Sequence, residues 1–403
     1  MYPISKPQLG IDELISVIRP RRNAVKRFED AFATKIGAEY AISFPYARSG
    51  LFSVLKSLGI SNSEIIIPAY TCIVVPNAIV FSGNKPVFVD VSTKDFNATI
   101  QEIKKKITQR TKAIIATHMY GYPTDVKKLR RVIPKNILII EDSCLSILTK
   151  TGNEVIGSKR AGSNINFFSF NPSKQMTTIY GGIVTTNNLE YYKKIKKFRD
   201  TYFKSCRKLR IKRLMFFLLN YLLYVKPVYS FMQYLYRTLP SIRSKIKWEK
   251  WTIKKIDMPS DSKLKFTDVQ AEIGLIQLSK IEKFLQKRGE LAAVYDKRLK
   301  GLSEIQLPPL MEGATYSHYT IRYAKRDKLA EALKVRGINV GSAFDYSIPD
   351  TPAYQQYKNS NCPNSKRIAQ TIINLPFYPA LSEKDIAKIC KEIRRAVKNI
   401  EKK

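Results

Sequence analysis

Residues 166–174 read Asn-Phe-Phe-Ser-Phe-Asn-Pro-Ser-Lys, and a glycine pair, Gly181-Gly182, follows shortly after. The apolar, aromatic first part of this stretch predicts a buried strand. The Asn-Pro-Ser sequence after it is typical of a turn, because proline cannot continue a strand ladder and asparagine and serine favour turn conformations. The stretch therefore predicts a core strand that ends in a turn carrying one lysine, Lys174.

A second apolar run lies upstream, in residues 137–140, and ends in Glu141-Asp142. It predicts another buried strand, with a carboxylate at its end. A carboxylate and a lysine at two strand ends are the groups that a pyridoxal phosphate (PLP) site needs. The lysine amine bonds to the cofactor's aldehyde carbon, and the carboxylate keeps the pyridine nitrogen protonated. Most lysines on loops are solvated, so a solvent-exposed Lys174 without a catalytic role is the alternative.

The order of these motifs resembles that of the PLP-dependent sugar aminotransferases of the DegT/DnrJ/EryC1/StrS family. The resemblance rests on residues 140–142 (Ile-Glu-Asp), on residues 169–174 (Ser-Phe-x-x-x-Lys) and on the glycine pair. It covers nearly the whole chain, apart from a segment near the middle. It implies an α/β fold, that of a fold type I PLP-dependent transferase. Such a fold has a large domain with a mostly parallel seven-stranded sheet and a smaller C-terminal α/β domain. Lys174 would then carry the cofactor, and Asp142 would face its ring nitrogen.

The resemblance also implies which residues bind the cofactor phosphate. A predicted strand, residues 41–44, runs into a small-residue turn and a helix start, and helix starts favour anions. The family's phosphate-binding positions fall on Ser49 and Gly50, although Arg48 stands where relatives usually carry a small residue. An ordinary helix cap is the alternative. Ser169 matches a phosphate-binding hydroxyl.

Three other positions bear on the site. The residue that stacks on the PLP ring is often aromatic in the family, and here it is Cys72. Either its sulfur packs on the ring or Tyr70 contributes to that contact. Lys263 replaces an asparagine that reaches the phosphate of a neighbouring subunit, which implies a homodimer with Lys263 as a point charge on that phosphate. His118, one of two histidines, matches a family position for which we expect a structural role.

The composition predicts a globular protein of unusual charge. Of 403 residues, 44% are hydrophobic and 26% are charged, which suits two domains and excludes disorder. The five cysteines lack Cys-x-x-Cys spacing, so we expect neither disulfides nor a metal site, and a reducing cytoplasm fits. No apolar segment follows residues 1–6, so no signal peptide is expected. The net charge of +37 indicates either a polyanionic partner or a lysine-rich bias spread over solvated surfaces.

The middle of the chain concentrates this charge. Residues 193–255 contain about nineteen Lys or Arg against two acids. Within them, residues 214–236 are apolar and aromatic but are interrupted by Lys226-Pro227, whereas a spanning helix needs about 20 apolar residues. Two short helices with basic flanks favour an interfacial element at the inner face of a membrane. A helical pair buried in a subunit interface is the alternative.

We therefore expect a large PLP-binding domain in residues 1–204, a basic and hydrophobic insertion in residues 205–262 and a small domain in residues 263–403. The reaction implied by the resemblance is amino transfer from an amino acid, with glutamate as the expected donor, to a nucleotide-linked keto-sugar in surface glycan or polysaccharide biosynthesis. Lys174 favours transamination, because dehydratase relatives carry histidine there. The alternative is a catalytically silent PLP-fold protein that acts as a membrane-associated scaffold. Nucleic acid is not an expected partner, since the sequence contains no recognisable nucleic-acid-binding motif.

Overall fold

The computed structural model describes residues 2–18, 20–225, 253–359 and 361–402, together with residues 228, 231 and 234. The strands, in chain order, are β1 (Tyr40–Phe44), β2 (Glu64–Pro68), β3 (Lys85–Val89), β4 (Thr111–Thr117), β5 (Leu138–Asp142), β6 (Lys150–Thr151), β7 (Glu154–Val155), β8 (Ile165–Ser169), β9 (Gly182–Thr186), β10 (Ile305–Gln306), β11 (Tyr319–Tyr323) and β12 (Ile372–Leu375). The helices are α1 (Ile11–Ile18), α2 (Ala24–Ile36), α3 (Ala47–Ser57), α4 (Val74–Phe81), α5 (Ile100–Lys105), α6 (Val126–Val132), α7 (Leu189–Tyr202), α8 (Arg207–Leu223), α9 (Asp268–Leu299), α10 (Arg326–Val335), α11 (Pro363–Thr371) and α12 (Glu383–Glu401).

The large sheet has seven strands in the order β1-β9-β8-β5-β4-β2-β3. Only β9 runs antiparallel to its neighbours, β1 and β8. The predicted mostly parallel seven-stranded sheet is therefore confirmed. Its inner strands are short apolar runs, as expected where helices cover both faces of a parallel sheet. Because β5 and β8 are parallel neighbours, with Asp142 paired to Phe167, their carboxyl ends meet at one edge of the sheet.

The N-terminal helical region differs from its prediction. The apolar spacing over residues 11–36 predicts one helix, and the structure has two, α1 and α2. The chain breaks at Pro20, which cannot continue a helix, and Asn23 takes a left-handed backbone conformation with φ of 55°. The predicted inner face of α2 consists of Val25, Phe28, Phe32 and Ile36; the last three are buried and Val25 is half-buried.

The C-terminal unit is built on a three-stranded antiparallel sheet in the order β10-β11-β12. The long helix α9 connects it to the large sheet. A capping box starts α9, in which Thr267 and Gln270 exchange side-chain and backbone hydrogen bonds. Gly274 lets α9 approach α2, because a Cβ atom there would lie 2.5 Å from the Phe28 ring.

The predicted insertion begins with α8. Of the predicted interfacial element in residues 214–236, residues 226–227, 229–230, 232–233 and 235–236 lie outside the described residues. Within the described part of the chain, no helix combines the length and apolar content that crossing a bilayer requires.

Candidate active site

Asp142 ends β5 in a buried position, as the sequence predicts. Its Oδ1 accepts a hydrogen bond of 3.1 Å from the backbone amide of Cys144. Burial raises the pKa of the Asp142 carboxyl, and the hydrogen bond from Cys144 and the positive charge of Lys174 act in the opposite direction. A buried carboxylate of this kind gains from a cationic N–H group placed beside it.

Lys174 lies on the turn that follows β8, close enough to Asp142 for its charge to influence that carboxyl. Its backbone amide closes the turn with a hydrogen bond of 2.9 Å to the Asn171 carbonyl. The next residue, Gln175, fixes the turn from the other side. It accepts a hydrogen bond of 3.0 Å from the Ile147 amide and donates one of 3.0 Å to the Thr315 carbonyl. The turn thus holds Lys174, whose side chain is half-buried, opposite the end of β5.

His318 is a neighbour of Lys174 that the sequence did not single out. Burial, together with the charges of Lys174 and Arg288, lowers the pKa of His318 to about 3, so the ring is neutral at working pH. Its Nδ1 lies 3.0 Å from the Ser317 hydroxyl. His318 comes from the small domain, just before β11, which is why spacing along the chain could not connect it to Lys174. The one feature of the sequence that could have drawn attention to His318 is that the chain contains only two histidines.

The second histidine, His118, forms hydrogen bonds on the opposite side of β5 from Asp142. Nε2 of His118 lies 2.8 Å from Oε2 of Glu141, and its Nδ1 accepts a hydrogen bond of 3.0 Å from the Thr124 amide. Because successive side chains of a strand point to opposite faces, Glu141 and Asp142 face different sides of the sheet. Both nitrogens of His118 are thus used in buried hydrogen bonds, which suits the expected structural role.

The start of α3 packs directly against β9. A Cβ atom on Gly182 would lie 2.3 Å from the Ala47 nitrogen, and one on Gly50 would lie 2.8 Å from Cγ2 of Val184. These two glycines are therefore needed for close packing of the helix start on the sheet. Ser169 pairs with Gly182 across β8 and β9, so its hydroxyl belongs to the same end of the sheet.

Ser49 and Gly50 lie in the first turn of α3, where both backbone amides bond to the Tyr46 carbonyl, at 3.1 and 3.2 Å. The Ser49 hydroxyl is buried and donates a hydrogen bond of 2.8 Å to the Ser262 carbonyl. Lys263 therefore follows a residue that contacts the first turn of α3 in its own chain. Its ammonium lies 5.4 Å from the centre of the Tyr202 ring in a cation–π contact. The resemblance, in contrast, places this residue against a neighbouring subunit.

A buried arginine, Arg213, connects α8 to Tyr46, the residue before α3. Arg213, whose side chain is only 1% exposed, donates hydrogen bonds to Oδ2 of Asp261 at 3.2 Å and to the Tyr46 hydroxyl at 3.1 Å. Tyr46 in turn donates to Oδ1 of Asp261 at 2.7 Å. Burial is the largest cause that raises the pKa of Tyr46 to about 12. The guanidinium also stacks over the Tyr46 and Tyr180 rings, at 5.4 and 4.8 Å. No motif marks these residues, because their contacts join three separate parts of the chain.

The two candidates for the ring-stacking position lie in different environments. Tyr70 is fully buried, its hydroxyl lies 2.8 Å from that of Tyr120, and its ring packs on Phe344. Cys72 is half-buried, and its thiol is close enough to influence the ionisation of Cys144 and Arg48. The structure therefore places Tyr70 in the core and Cys72 at the edge of the group formed by Asp142, Cys144 and Lys174.

The arrangement fits PLP. Asp142 provides a buried carboxylate for a ring N–H, Lys174 provides an amine on a rigid turn, and Ser169 and the start of α3 lie at the end of the sheet where a phosphate group would bind. Such a set can hold a cofactor at both ends and keep one amine free to accept or donate a proton.

Comparisons with known proteins agree with this geometry. Residues 18–223 and 233–394 match the model of the DegT/DnrJ/EryC1/StrS aminotransferase family. GDP-perosamine synthase of Escherichia coli O157:H7 is 27% identical over 381 residues, which cover 93% of this chain and 91% of that protein. MJ1066, an uncharacterized protein of Methanocaldococcus jannaschii, is 26% identical over 416 residues, covering 98% of this chain and 97% of that one.

Solved structures give the same fold. PseC of Helicobacter pylori, an aminotransferase involved in the biosynthesis of pseudoaminic acid, superposes with a TM-score of 0.79 at 21% identity, covering 99% of each chain. Spr1654 of Streptococcus pneumoniae in its PLP form superposes with a TM-score of 0.79 at 20% identity, again covering 99% of each chain.

Proposed function

The chain belongs to the DegT/DnrJ/EryC1/StrS family of PLP-dependent aminotransferases, and on that premise we propose that it transfers an amino group from glutamate to a nucleotide-linked keto-sugar. The observation that carries the proposal is the pairing of the buried Asp142 with Lys174 at the adjoining ends of β5 and β8. The similarity to a GDP-perosamine synthase over 93% of the chain supports a nucleotide-sugar substrate. We place the reaction in glycan or polysaccharide biosynthesis.

The chemistry that PLP supplies when bound is an electron sink for the carbon that gains or loses the amino group. Asp142 would face the ring nitrogen. Burial raises the pKa of this carboxyl, so a cationic N–H beside it would favour the ionised form and would itself be stabilised by that charge. Asp142 would thereby keep a proton at the ring nitrogen, on which the electron sink depends.

Lys174 would hold the cofactor and, once released, move a proton at its Nζ to and from the substrate carbon. The turn restricts where that amine can go, because Gln175 is bonded both to Ile147 and to Thr315. His318 is neutral beside the amine, so its ring adds no positive charge there.

The remaining cofactor contacts are proposals that rest on position. Ser49, Gly50 and Ser169 would hold the phosphate, and Cys72 would pack on the ring. Use of the Ser49 hydroxyl requires exchange of its bond to Ser262 for one to phosphate. Lys263 would add a positive charge near the same group.

We further propose a homodimer, with the site completed at the subunit boundary, and a location at the cytoplasmic side of a membrane. The three-part division at residues 204 and 262 remains a prediction. The proposed membrane contact through residues 214–236 is supported, within the described residues, by the exposed apolar side chains of α8.

The test is direct assay of the purified holoenzyme. Incubation with glutamate and a panel of nucleotide keto-sugars should yield one aminated nucleotide sugar together with 2-oxoglutarate, both detected by mass spectrometry. A Lys174→Ala variant is the control and should form neither product. If no member of the panel is aminated and the purified protein lacks the visible absorbance of bound PLP, the proposal is wrong and a silent scaffold is the better description.

A further inference from the structure

Helix α8 exposes an apolar stripe along its outer side. Its inner residues, Leu209, Arg213 and Phe217, are buried. A rotation of about 100° per residue places a second set on the opposite side. That set is exposed although it is apolar, with Met215 at 65% and Leu222 at 55%. The outer stripe of α8 consists of Ile211, Met215, Leu218, Leu219 and Leu222.

Helix α1 carries a second stripe of the same kind. Its inner residues Glu13 and Val17 are buried, and Glu13 is held by Lys280 and Gln277 of α9. The outer stripe of α1 consists of Ile11, Ile15 and Ile18, each more than half exposed. Exposed isoleucines spaced four and three residues apart form a continuous line along a helix.

The two helices belong to one side of the molecule. Val17 of α1 and Phe217 of α8 are packed in the same buried cluster, together with Val269 and Ile273 of α9. Both helices therefore rest on the N-terminal half of α9 and turn their outer stripes away from it. Exposed apolar stripes on two helices that share one buried cluster indicate an interaction surface.

The charged residues around the two stripes are mostly basic, which favours an anionic partner. Residues 207–225 contain five Lys or Arg and no acid. Arg207 and Lys208 are exposed at the start of α8, and neither forms an ion pair with an acid of the described residues. The acid that borders the α1 stripe, Asp12, is neutralised by Lys280 at 2.7 Å. In a two-fold contact between copies this surface would face the same basic surface of the second copy, whereas an anionic surface would attract it.

From these observations we propose that the outer stripes of α1 and α8 together dock on anionic phospholipid. The inference extends the membrane contact proposed above, because it adds α1, which lies outside the predicted element, and defines the surface by residues. Apolar side chains would enter the acyl boundary while the flanking basic groups meet lipid phosphates. The inner side of α8 contacts Tyr46, the residue before α3, through Arg213, so docking would hold the proposed active site next to the lipid surface.

Flotation of the PLP-loaded full chain tests the proposal. The vesicles are phosphatidylcholine alone, or equal parts of phosphatidylcholine and phosphatidylglycerol, at low salt. Three variants are compared with the unchanged chain. The first changes Met215, Leu219 and Leu222 to Ser, the second changes Ile11 and Ile15 to Ser, and the control changes Leu310 and Val335, which are exposed elsewhere, to Ser.

We expect flotation with the anionic vesicles only, with the bound fraction reduced about tenfold in each stripe variant and unchanged in the control. Aminotransferase activity on a soluble keto-sugar should be the same in all four proteins, so failure here is separable from failure of the proposed reaction. If the α1 variant floats like the unchanged chain while the α8 variant does not, the contact is limited to α8 and the two-helix surface is wrong. If no protein floats, or if the stripe variants turn a dimer into a monomer in sedimentation velocity, the surface is not a lipid-binding one.

Discussion

Asp142 is the residue on which the electronic part of the proposed chemistry depends. Asp142→Asn keeps the size and the acceptor for the Cys144 amide, so we expect a folded protein with an unchanged melting temperature or a higher one, since a buried carboxylate is removed. Turnover should fall by orders of magnitude, because a neutral amide cannot hold a proton at the ring nitrogen. Steady-state assay with the accepted keto-sugar measures this, and near-normal turnover would refute the role.

His318 gives a pH-dependent prediction. In the unfolded chain its pKa is near 6.5, whereas in the folded protein it is about 3, so below about pH 6.5 the unfolded state binds a proton that the folded state does not. The free energy of unfolding should therefore fall as the pH is lowered from about 7 to about 5. Urea denaturation at both values should show a smaller loss for His318→Gln. Equal losses in both proteins would contradict the assignment.

The positions of some residues of the proposed site could be predicted from the sequence. The positions of Asp142 and Lys174 could be predicted because Asp142 ends a strongly apolar strand and Lys174 lies on the turn after another, and parallel neighbouring strands bring their carboxyl ends together. His318, Tyr46, Asp261 and Arg213 could not, because their contacts depend on how the small domain and α8 pack on the large sheet. The bond from Ser49 to Ser262 is of the same kind, since it joins residues 213 positions apart.

Among the elements, the start of α3 depends on the absence of a side chain at Gly182. Gly182→Ala should lower the free energy of unfolding by about 1–3 kcal/mol, because the new Cβ would overlap the backbone at Ala47. PLP affinity should fall as well, since that backbone forms the proposed phosphate turn. Gly289→Ala is the matched control. It lies inside α9 with no atom within 4 Å of the new Cβ, so it should stabilise the protein by about 0.5–1 kcal/mol. Urea titration compares the two, and equal effects would show that the close packing is unimportant.

The attachment of α8 depends on Arg213. Arg213→Met leaves Asp261 and Tyr46 without their buried cation, and we expect a loss of about 3 kcal/mol in the free energy of unfolding. Lys212→Met is the control, because Lys212 is exposed and lies 3.6 Å from the same carboxylate, so its loss should cost at most about 1 kcal/mol. If the two variants are equally stable, Arg213 does not anchor the helix.

The helices also show where sequence patterns are weakest. Helical apolar spacing occurs on both sides of residues 19–23, Arg-Pro-Arg-Arg-Asn, and the prediction of one helix over residues 11–36 gave this polar, proline-containing stretch too little weight. The seven-stranded sheet was predictable, in contrast, because its strands are short runs of β-branched and aromatic residues separated by helices.

For the whole molecule, we predict a homodimer at micromolar concentration. The motivation is the position of Lys263, where the family resemblance places a contact across subunits. Sedimentation velocity of the holoenzyme measures the mass, and Lys263→Ala should weaken PLP binding without unfolding the protein, because Lys263 is exposed. A fully active monomer would contradict the prediction.

The most direct test of the central claim is the identity of the lysine that carries PLP. Borohydride reduction of the holoenzyme, followed by proteolysis and mass spectrometry, should find the pyridoxyl group on the peptide that contains Lys174. Its position one strand away from Asp142, on a turn held by Gln175, is the reason for this expectation. A pyridoxyl group on any other lysine, or on none, would contradict the account.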